Sequence, residues 1–207
     1  MEKKSVIMEC LKRRRSVRKF KSKPLPLSLV LEVLEAARWA PSAHNAQPWR
    51  FIVIRDKEVK ERLARAMAKK WVEDMLRDGV PEEIAEKRAS ESIERFMSAP
   101  VLIVACLTME DMDKYPDEVR QRAEYLMAVQ SVASAIQNLL LAAHAAGLGA
   151  CWYCAPLFCP EVVREILKIP PQVDPQALIT LGFPDEEPEP PPRLPLNLIV
   201  HYESWRE

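Results

Sequence analysis

The fold of this chain is decided by a run of seven consecutive apolar residues, VLIVACL, at positions 101–107. The run is rich in β-branched side chains, and it lacks the polar alternation of a strand that has one face in water. It therefore predicts a strand that is covered on both faces and lies at the centre of a sheet.

Shorter strand patterns and several amphipathic helices surround this central strand. Further strands are predicted at 51–54, 149–154 and 176–182, a strand-like tail at 196–202, and helices at 3–14, 28–39, 57–75, 81–96, 121–146 and 160–168. The chain has no G-x-G-x-x-G turn, which argues against a Rossmann dinucleotide site. The pattern predicts an α+β sandwich in which a few central strands are flanked by helices.

Length and charge narrow the class of protein. The 207 residues fit one domain spanning 1–207, and 30 basic side chains balance 30 acidic ones. Balanced charge predicts neither nucleic acid nor an anionic membrane as a partner. The N-terminal stretch lacks the apolar core of a secretory signal, and the longest weakly polar run, 139–154, is too short to span a bilayer. We expect a soluble, cytoplasmic protein.

The cysteine content agrees with a reducing compartment, because five cysteines make an odd count. Cys151, Cys154 and Cys159 lie close together in sequence. A CxxC pair can bind zinc or exchange thiols, but no second CxxC or paired histidine follows. We therefore predict small buried side chains beside a core strand and no metal site, and disulfide formation stays open.

A basic cluster ends the first predicted helix, where Arg14 and Arg15 precede Ser16 and Arg18. Guanidinium groups bind phosphate oxygens through paired hydrogen bonds and stay charged at any working pH, so a converging set suits a phosphomonoester. A solvated basic helix end, favourable to the helix dipole, explains the same residues. The cluster by itself favours this second interpretation.

The loop at 40–49, with the sequence APSAHNAQPW, is dense in directional hydrogen-bonding groups. Asn45 and Gln47 each present a donor beside an acceptor, which matches the alternating carbonyl and N–H edge of a flavin pyrimidine ring. Two proline turns whose amides bond to their own backbone are an equally good explanation. The loop by itself does not decide between them.

Together, the two segments resemble the nitroreductase family of flavoproteins. The family's RRS-x-R phosphate motif matches residues 14–18, and its PS-x-x-N-x-QPW loop matches 41–49. Residues 137–149 resemble its central helix and following strand, and 181–184 with 193–195 resemble its tail. The resemblance spans 8–197 and leaves only 57–98 unmatched. It implies a nitroreductase-like sandwich with a mostly antiparallel sheet, an intertwined homodimer, and FMN at the subunit interface.

The resemblance also implies which residues hold FMN. The phosphate and ribityl chain would contact Arg14, Arg15, Ser16, Arg18 and, from the tail, Arg193. The partner chain's loop would cover the isoalloxazine ring with Pro41, Ser42, Ala43 and Asn45, supported by Gln47. The backbone of Ala155, Pro156 and Leu157 would face the hydride-accepting nitrogen, with Leu157 as the donor because proline has no N–H. The extended tail at 184–207 would wrap the partner subunit.

One position departs from the family pattern. Pro191 stands where the family often has a lysine, two residues before the tail arginine. One phosphate contact is therefore missing, and Lys69 and Lys70 are the two candidates to replace it.

The activity implied by the resemblance is hydride transfer from NAD(P)H to FMN and then, by a ping-pong mechanism, to a nitroaromatic, quinone or enone acceptor. No side chain is required as an acid or base, and His44 is predicted to be a surface residue. Residues 113–117, 123–127 and 149–152 look closest to the flavin domain of deazaflavin-coenzyme biosynthesis enzymes, which leaves a dedicated biosynthetic reductase as an alternative. A flavin-fragmenting oxygenase and an electron-carrier module without turnover are further alternatives.

Overall fold

The structure is a computed structural model of one chain, and it describes residues 3–205, with side chains from residue 6 onward. Six helices and four strands follow one another along these residues. They are α1 Lys3–Arg13, α2 Leu27–Arg38, β1 Trp49–Ile54, α3 Lys57–Arg77, α4 Glu82–Ser98, β2 Val101–Thr108, α5 Glu118–Ala145, β3 Gly149–Tyr153, α6 Pro160–Leu167 and β4 Val173–Gly182.

The strands form one antiparallel sheet in the order β1-β2-β4-β3. All eight residues of β2 are buried, and the strand lies between two neighbours. Ile103 pairs with Val53 of β1 on one side and with Ile179 of β4 on the other. The prediction of a central strand covered on both faces is confirmed, and so is the α+β sandwich.

Alternate residues of β2 belong to two cores, one on each face of the sheet, because successive side chains of a strand point to opposite faces. Ile103 and Leu107 pack with α2 and α5, whereas Leu102 and Val104 pack with α3, α4 and α6. Burial of each such side chain contributes roughly 1.5–3 kcal/mol to folding. The sheet is therefore the middle layer of three.

The long helix α5 begins at Glu118 rather than at the predicted 121. Asp117 explains the difference, because its carboxylate accepts the Arg120 N–H at 2.9 Å and caps the helix. Gly147, with a φ of +71°, follows the last turn. The helix ends where the sequence predicts.

By length and composition, α5 is long and apolar enough to cross a membrane, and it is the one such helix within residues 3–205. However, Ala128, Val132 and Ile136 pack into the core against the sheet. A core helix of a soluble protein has this pattern of burial.

Two predictions in the C-terminal quarter were wrong. Leu196–Leu198 forms a short 3₁₀ turn rather than a strand, and both leucines are exposed. The strand β4 starts at Val173 rather than 176, because Pro175 is accommodated where the pairing with β2 shifts register between Ala105 and Cys106.

Candidate functional site

The basic segment after α1 lies against β3, at one edge of the sheet. Ser16 forms a parallel bridge with Ala150, and the Val17 N–H donates to the Ala150 carbonyl at 3.0 Å. Val17 is buried, whereas the next residue, Arg18, is exposed. The segment is thus fixed by its backbone and by one apolar side chain, and its charges lie at the surface beside β3.

A glycine makes this close contact possible. A Cβ at Gly149 would lie 2.7 Å from Val17 Cγ1, much closer than a normal carbon–carbon contact. Any other residue at this position would push residues 16–18 away from the sheet. Gly149 therefore positions the basic segment.

The arginines at the end of α1 have different surroundings. Arg15 Nη1 donates to the carbonyls of Lys12 and Arg14 at 2.6 and 2.9 Å, which satisfies carbonyl groups at the end of the helix. Burial, followed by the charges of Arg14 and Arg15, lowers the pKa of His144 on α5. These residues therefore create a positive local potential.

The tail begins beside the basic segment and then leaves it. Glu186 Oε1 accepts the backbone N–H groups of Arg18 and Lys19 at 2.5 and 3.1 Å. Farther along, Arg193 is exposed, and its guanidinium contacts only the carbonyls at 191–192 among the described residues. The structure brings Arg14, Arg15, Ser16 and Arg18 into one segment and shows no contact between them and Arg193.

The amide-rich loop at 41–47 has a strained backbone. His44, Asn45 and Gln47 have φ values of 54°, 53° and 48°, a region that residues other than glycine rarely adopt. The Ser42 hydroxyl accepts the Gln47 N–H at 3.1 Å and closes the loop. Pro41, Asn45 and Gln47 are exposed, and Ser42 and Ala43 are half-buried. The loop therefore presents its amides to the outside of the chain.

Two polar side chains of α5 anchor this loop. Ser131 Oγ accepts the Ala43 N–H at 3.2 Å and donates to the Met127 carbonyl at 2.7 Å. Glu124 is 3% exposed, and its Oε1 lies 3.3 Å from His44 Nε2. Its other oxygen is buried and has no hydrogen-bond partner within residues 6–205. A buried carboxylate in this position holds the histidine toward the helix.

His44 is exposed at the surface, as predicted, but its pairing with Glu124 was missed. Asp113 Oδ2 lies 3.9 Å from His44 Nε2, so His44, Asp113 and Glu124 bring three metal-ligating atoms within 4.8 Å of one another. The sequence does carry a signal for the burial of Glu124. This residue precedes the buried Ala128 and Ser131 by four and seven positions, which places it on the inner face of α5.

The loop and the basic segment lie at opposite edges of the sheet. The loop leads directly into β1, and the basic segment is bonded to β3, with β2 and β4 between them. Adjacent strands are about 4.8 Å apart, so roughly 14 Å of sheet separates the two edges. One chain does not bring these two predicted parts of the site together.

The third predicted part lies just beyond β3, where Ala155–Phe158 forms a 3₁₀ turn. Pro156 is buried and Leu157 is exposed. The Leu157 N–H, the expected donor to the flavin, donates to the Cys154 carbonyl at 3.0 Å. A flavin would therefore have to share this donor. Because the turn and Ser16 border the same strand, the first and third parts of the predicted site are brought together.

The clustered cysteines differ in exposure. Cys151 and Cys159 are buried, as predicted, and burial raises the pKa of Cys159 to about 11. Cys154 is exposed, so its predicted burial was wrong: this residue leaves the sheet at the start of the turn. All five thiols are free.

A cavity of about 450 Å³ lies beside the turn, between α3 and α4. Lys70 and Ala155 both line it, and Lys70 Nζ is bonded to Asp74 at 2.6 Å. Lys69 is exposed and lines a different groove of α3 and α4. Of the two candidate lysines, only Lys70 therefore borders the third part of the predicted site.

The fold and site define an α+β protein that places an arginine segment at one sheet edge and an amide-rich loop at the other. The model of the nitroreductase family matches residues 11–183. The chain belongs to the nitroreductase family.

Individual relatives match over nearly the whole chain. The chain is 33% identical to a Thermus thermophilus protein named NADH dehydrogenase, over 94% of this chain and 93% of the relative. It is 30% identical to iodotyrosine deiodinase of Thermotoga neapolitana, over 97% of this chain and 99% of the relative. A solved structure described as a nitroreductase in complex with FMN, from Desulfovibrio desulfuricans, is 25% identical in sequence and superposes with a TM-score of 0.73. The match covers 97% of this chain and 98% of that structure.

Proposed function

We propose that two copies of this chain hold FMN between them and use it to pass hydride from NAD(P)H to a small organic acceptor. The chain is an NAD(P)H-dependent FMN oxidoreductase of the nitroreductase family. The acceptor, a nitroaromatic, quinone or enone, and the ping-pong order of the two transfers are parts of the proposal. So are the homodimer and its cytoplasmic location.

The separation of the two sheet edges is the observation that carries this proposal. The donor set at β3 fits a phosphate, because Arg14, Ser16 and Arg18 offer charged and neutral donors on one segment that Gly149 holds in place. The donor set of the other edge, Asn45 and Gln47, fits the polar edge of a planar ring. FMN has both features, and a second chain would supply the part that the first one lacks.

The chain's own residues would bind and orient the cofactor, whereas FMN supplies the capacity to accept and donate hydride. The turn at 155–158 would lie against the ring, with Leu157 offering its N–H. Lys70 would add positive charge from α3, which we favour over Lys69 because only Lys70 borders the turn. Arg193 would join the phosphate if the tail moves from its present position. The exposed apolar residues of the tail, Leu194, Leu196, Leu198, Ile199 and Val200, suit contact with the partner.

An absorbance spectrum of the purified protein, followed by anaerobic addition of NADH or NADPH, tests the proposal. We expect flavin bands that bleach on addition and return when an acceptor is added. Protein that does not bind added FMN would contradict the proposal. Flavin that is bound but never bleaches with either nucleotide would instead favour an electron carrier.

A second candidate function, removal of iodide from an iodinated aromatic compound, is favoured by the end-to-end similarity to iodotyrosine deiodinase. In that reaction hydride replaces the iodide on the ring carbon, and iodide leaves. Release of iodide from iodotyrosine, measured with an iodide electrode under reducing conditions, would distinguish it from reduction of nitroaromatics and quinones.

A further inference from the structure

The cavity beside the turn at 155–158 has walls suited to an aromatic ring. Its apolar lining comes from Met67, Trp71, Met75, Phe96 and Phe158, which lie on α3, on α4 and in the turn. Its volume of about 450 Å³ lies within the range of small-molecule sites. Most of these walls lie on α3 and α4, in the segment 57–98, outside the motifs on which the family resemblance rests.

Four charged side chains line the cavity, and they are not equivalent. Lys70 is already paired with Asp74 at 2.6 Å, and Arg77 contacts the same Asp74 oxygen at 3.3 Å. Asp78 is exposed at the end of α3. The guanidinium of Arg95 is different, because it makes no hydrogen bond or ion pair with any residue that the structure describes. Arg95 is half-buried on α4.

A second polar group in the cavity wall also lacks a partner. The Tyr153 hydroxyl is buried and accepts or donates no hydrogen bond within the described part of the chain, and the Tyr153 ring packs edge-on against Phe96 at 5.2 Å. Burial raises the pKa of Tyr153, and the nearby Cys151 thiol, which itself donates to the Trp152 carbonyl, raises it further. The charges of Arg95 and Arg18 lower the pKa of Tyr153 by smaller amounts. The hydroxyl is therefore a neutral donor near an unpaired guanidinium.

We propose that Arg95, assisted by Tyr153, binds the oxyanion of an aromatic acceptor, most simply a carboxylate, while the ring lies against Trp71 and Phe158. An unpaired guanidinium and a free hydroxyl are donors without acceptors, and a carboxylate supplies acceptors to both. The position of the cavity next to Ala155 places such a ring beside the proposed flavin site. This inference rests on the proposed function and narrows its acceptor to anionic aromatic compounds.

The phosphate of FMN is another source of the same chemistry, and the experiment separates the two. The holoprotein and its Arg95→Gln variant would be assayed with 4-nitrobenzoate and with nitrobenzene, which share the ring and the nitro group but differ in charge. We expect the KM for 4-nitrobenzoate to rise about 10- to 100-fold, the magnitude of a lost charged hydrogen bond. The KM for nitrobenzene should change less than about twofold, which is the size of effect expected from a substitution that removes no contact with the acceptor.

Matched variants sharpen this result. Arg88→Gln removes an exposed arginine from the same helix outside the cavity, and it should leave both acceptors unaffected. Arg95→Lys should recover part of the discrimination, because it keeps the charge but loses the paired donors. Tyr153→Phe should raise the KM for 4-nitrobenzoate by a smaller factor and leave nitrobenzene unchanged.

Binding is measured independently of turnover by calorimetric titration of the same proteins with benzoate and with benzyl alcohol. Preference for benzoate that Arg95→Gln abolishes would support the inference, even if nitro compounds are not reduced and the proposed function fails. The inference would be overturned if Arg95→Gln raised the KM for 4-nitrobenzoate and for nitrobenzene equally. It would also be overturned if the parent protein and Arg95→Gln bound benzoate equally well. A weakened affinity for FMN in Arg95→Gln would overturn it as well, by assigning Arg95 to the cofactor phosphate.

Discussion

The two edges of the sheet differ in how they are held and in what they present. At the β3 edge, a buried Val17 and a hydrogen bond to Ala150 fix a segment that carries charge. At the β1 edge, an exposed loop takes up three left-handed backbone conformations and is tied to α5 through Glu124 and Ser131. The first edge suits a compact anion, and the second suits the flat edge of a ring.

This difference is the reason for proposing that FMN is shared between two chains. Strain in a loop persists only where the surroundings enforce it, so the loop at 41–47 has a defined shape before any ligand arrives. The loop lies at the β1 edge, so the width of the sheet separates its amides from the arginines of the same chain. Two preformed but separated parts are what a site shared between two chains requires.

The largest effect is expected at the charged edge. The double variant Arg14→Ala/Arg18→Ala should weaken FMN binding by roughly two to four orders of magnitude, because each charged hydrogen bond contributes about 1.5–3 kcal/mol. Fluorescence titration of the apoprotein measures this loss. Lys19→Ala removes a neighbouring exposed cation and serves as the control. An equal loss in the control would show that FMN is held by general electrostatic attraction and not by specific contacts with Arg14 and Arg18.

The next effect concerns the position of the charged edge. Gly149→Ala should lower the free energy of unfolding by about 1–3 kcal/mol through overpacking, and should also weaken FMN binding as Val17 is displaced. Gly147→Ala is the matched control: its Cβ meets nothing within 4 Å, but its φ of +71° costs about 1 kcal/mol. Urea unfolding would find both variants destabilised, and unchanged FMN affinity in Gly149→Ala would contradict the positioning role.

At the loop edge we expect a smaller effect. His44→Ala leaves the buried Glu124 carboxylate without its partner and should lower the free energy of unfolding by about 1 kcal/mol. The double variant His44→Ala/Glu124→Gln should recover part of this stability, because an amide is less costly to bury than a carboxylate. No recovery in thermal unfolding would show that the pair does not hold the loop.

The smallest effect is a titration at the charged edge. The pKa of His144 is lowered by burial and by Arg14 and Arg15. As the pH falls through about 6.5, the ordinary pKa of histidine, His144 therefore takes up protons in the unfolded chain before it does so in the folded chain. Stability contributed by neutral His144 should therefore be present above that pH and be lost as the pH falls. A phosphate bound by the arginines should raise the pKa of His144 in NMR titration, and an unchanged value would place the phosphate elsewhere.

Local patterns in the sequence predicted the central strand and the helices, because periodicity and capping residues act over a few positions. Contacts between distant residues could not be predicted in this way. Nothing local shows that Ser16 pairs with Ala150, or that His44 meets Glu124. The tail was predicted wrongly for a related reason: its apolar residues have the pattern of a strand, but they pair with no strand among residues 3–205.

In the candidate site, too, local patterns could be predicted from the sequence and contacts between distant residues could not. The family motifs predicted the arginine segment, the loop and the turn as parts of a site, and the structure places the segment and the turn along one strand. The choice between Lys69 and Lys70 depended on which side of α3 faces the turn. The exposure of Cys154 was missed because β3 was predicted to reach 154, one residue beyond its end at Tyr153.

A shared site is tested most directly by mixing two defective chains. One carries Arg18→Ala, the other carries Asn45→Ala/Gln47→Ala, and each alone should bind FMN poorly. After random exchange of subunits, half of the dimers contain both chains, and each of these has one site free of substitutions, so about a quarter of all sites should regain normal FMN affinity. Recovery of that fraction is the predicted result, and no recovery in dimers shown to have exchanged would contradict the shared site.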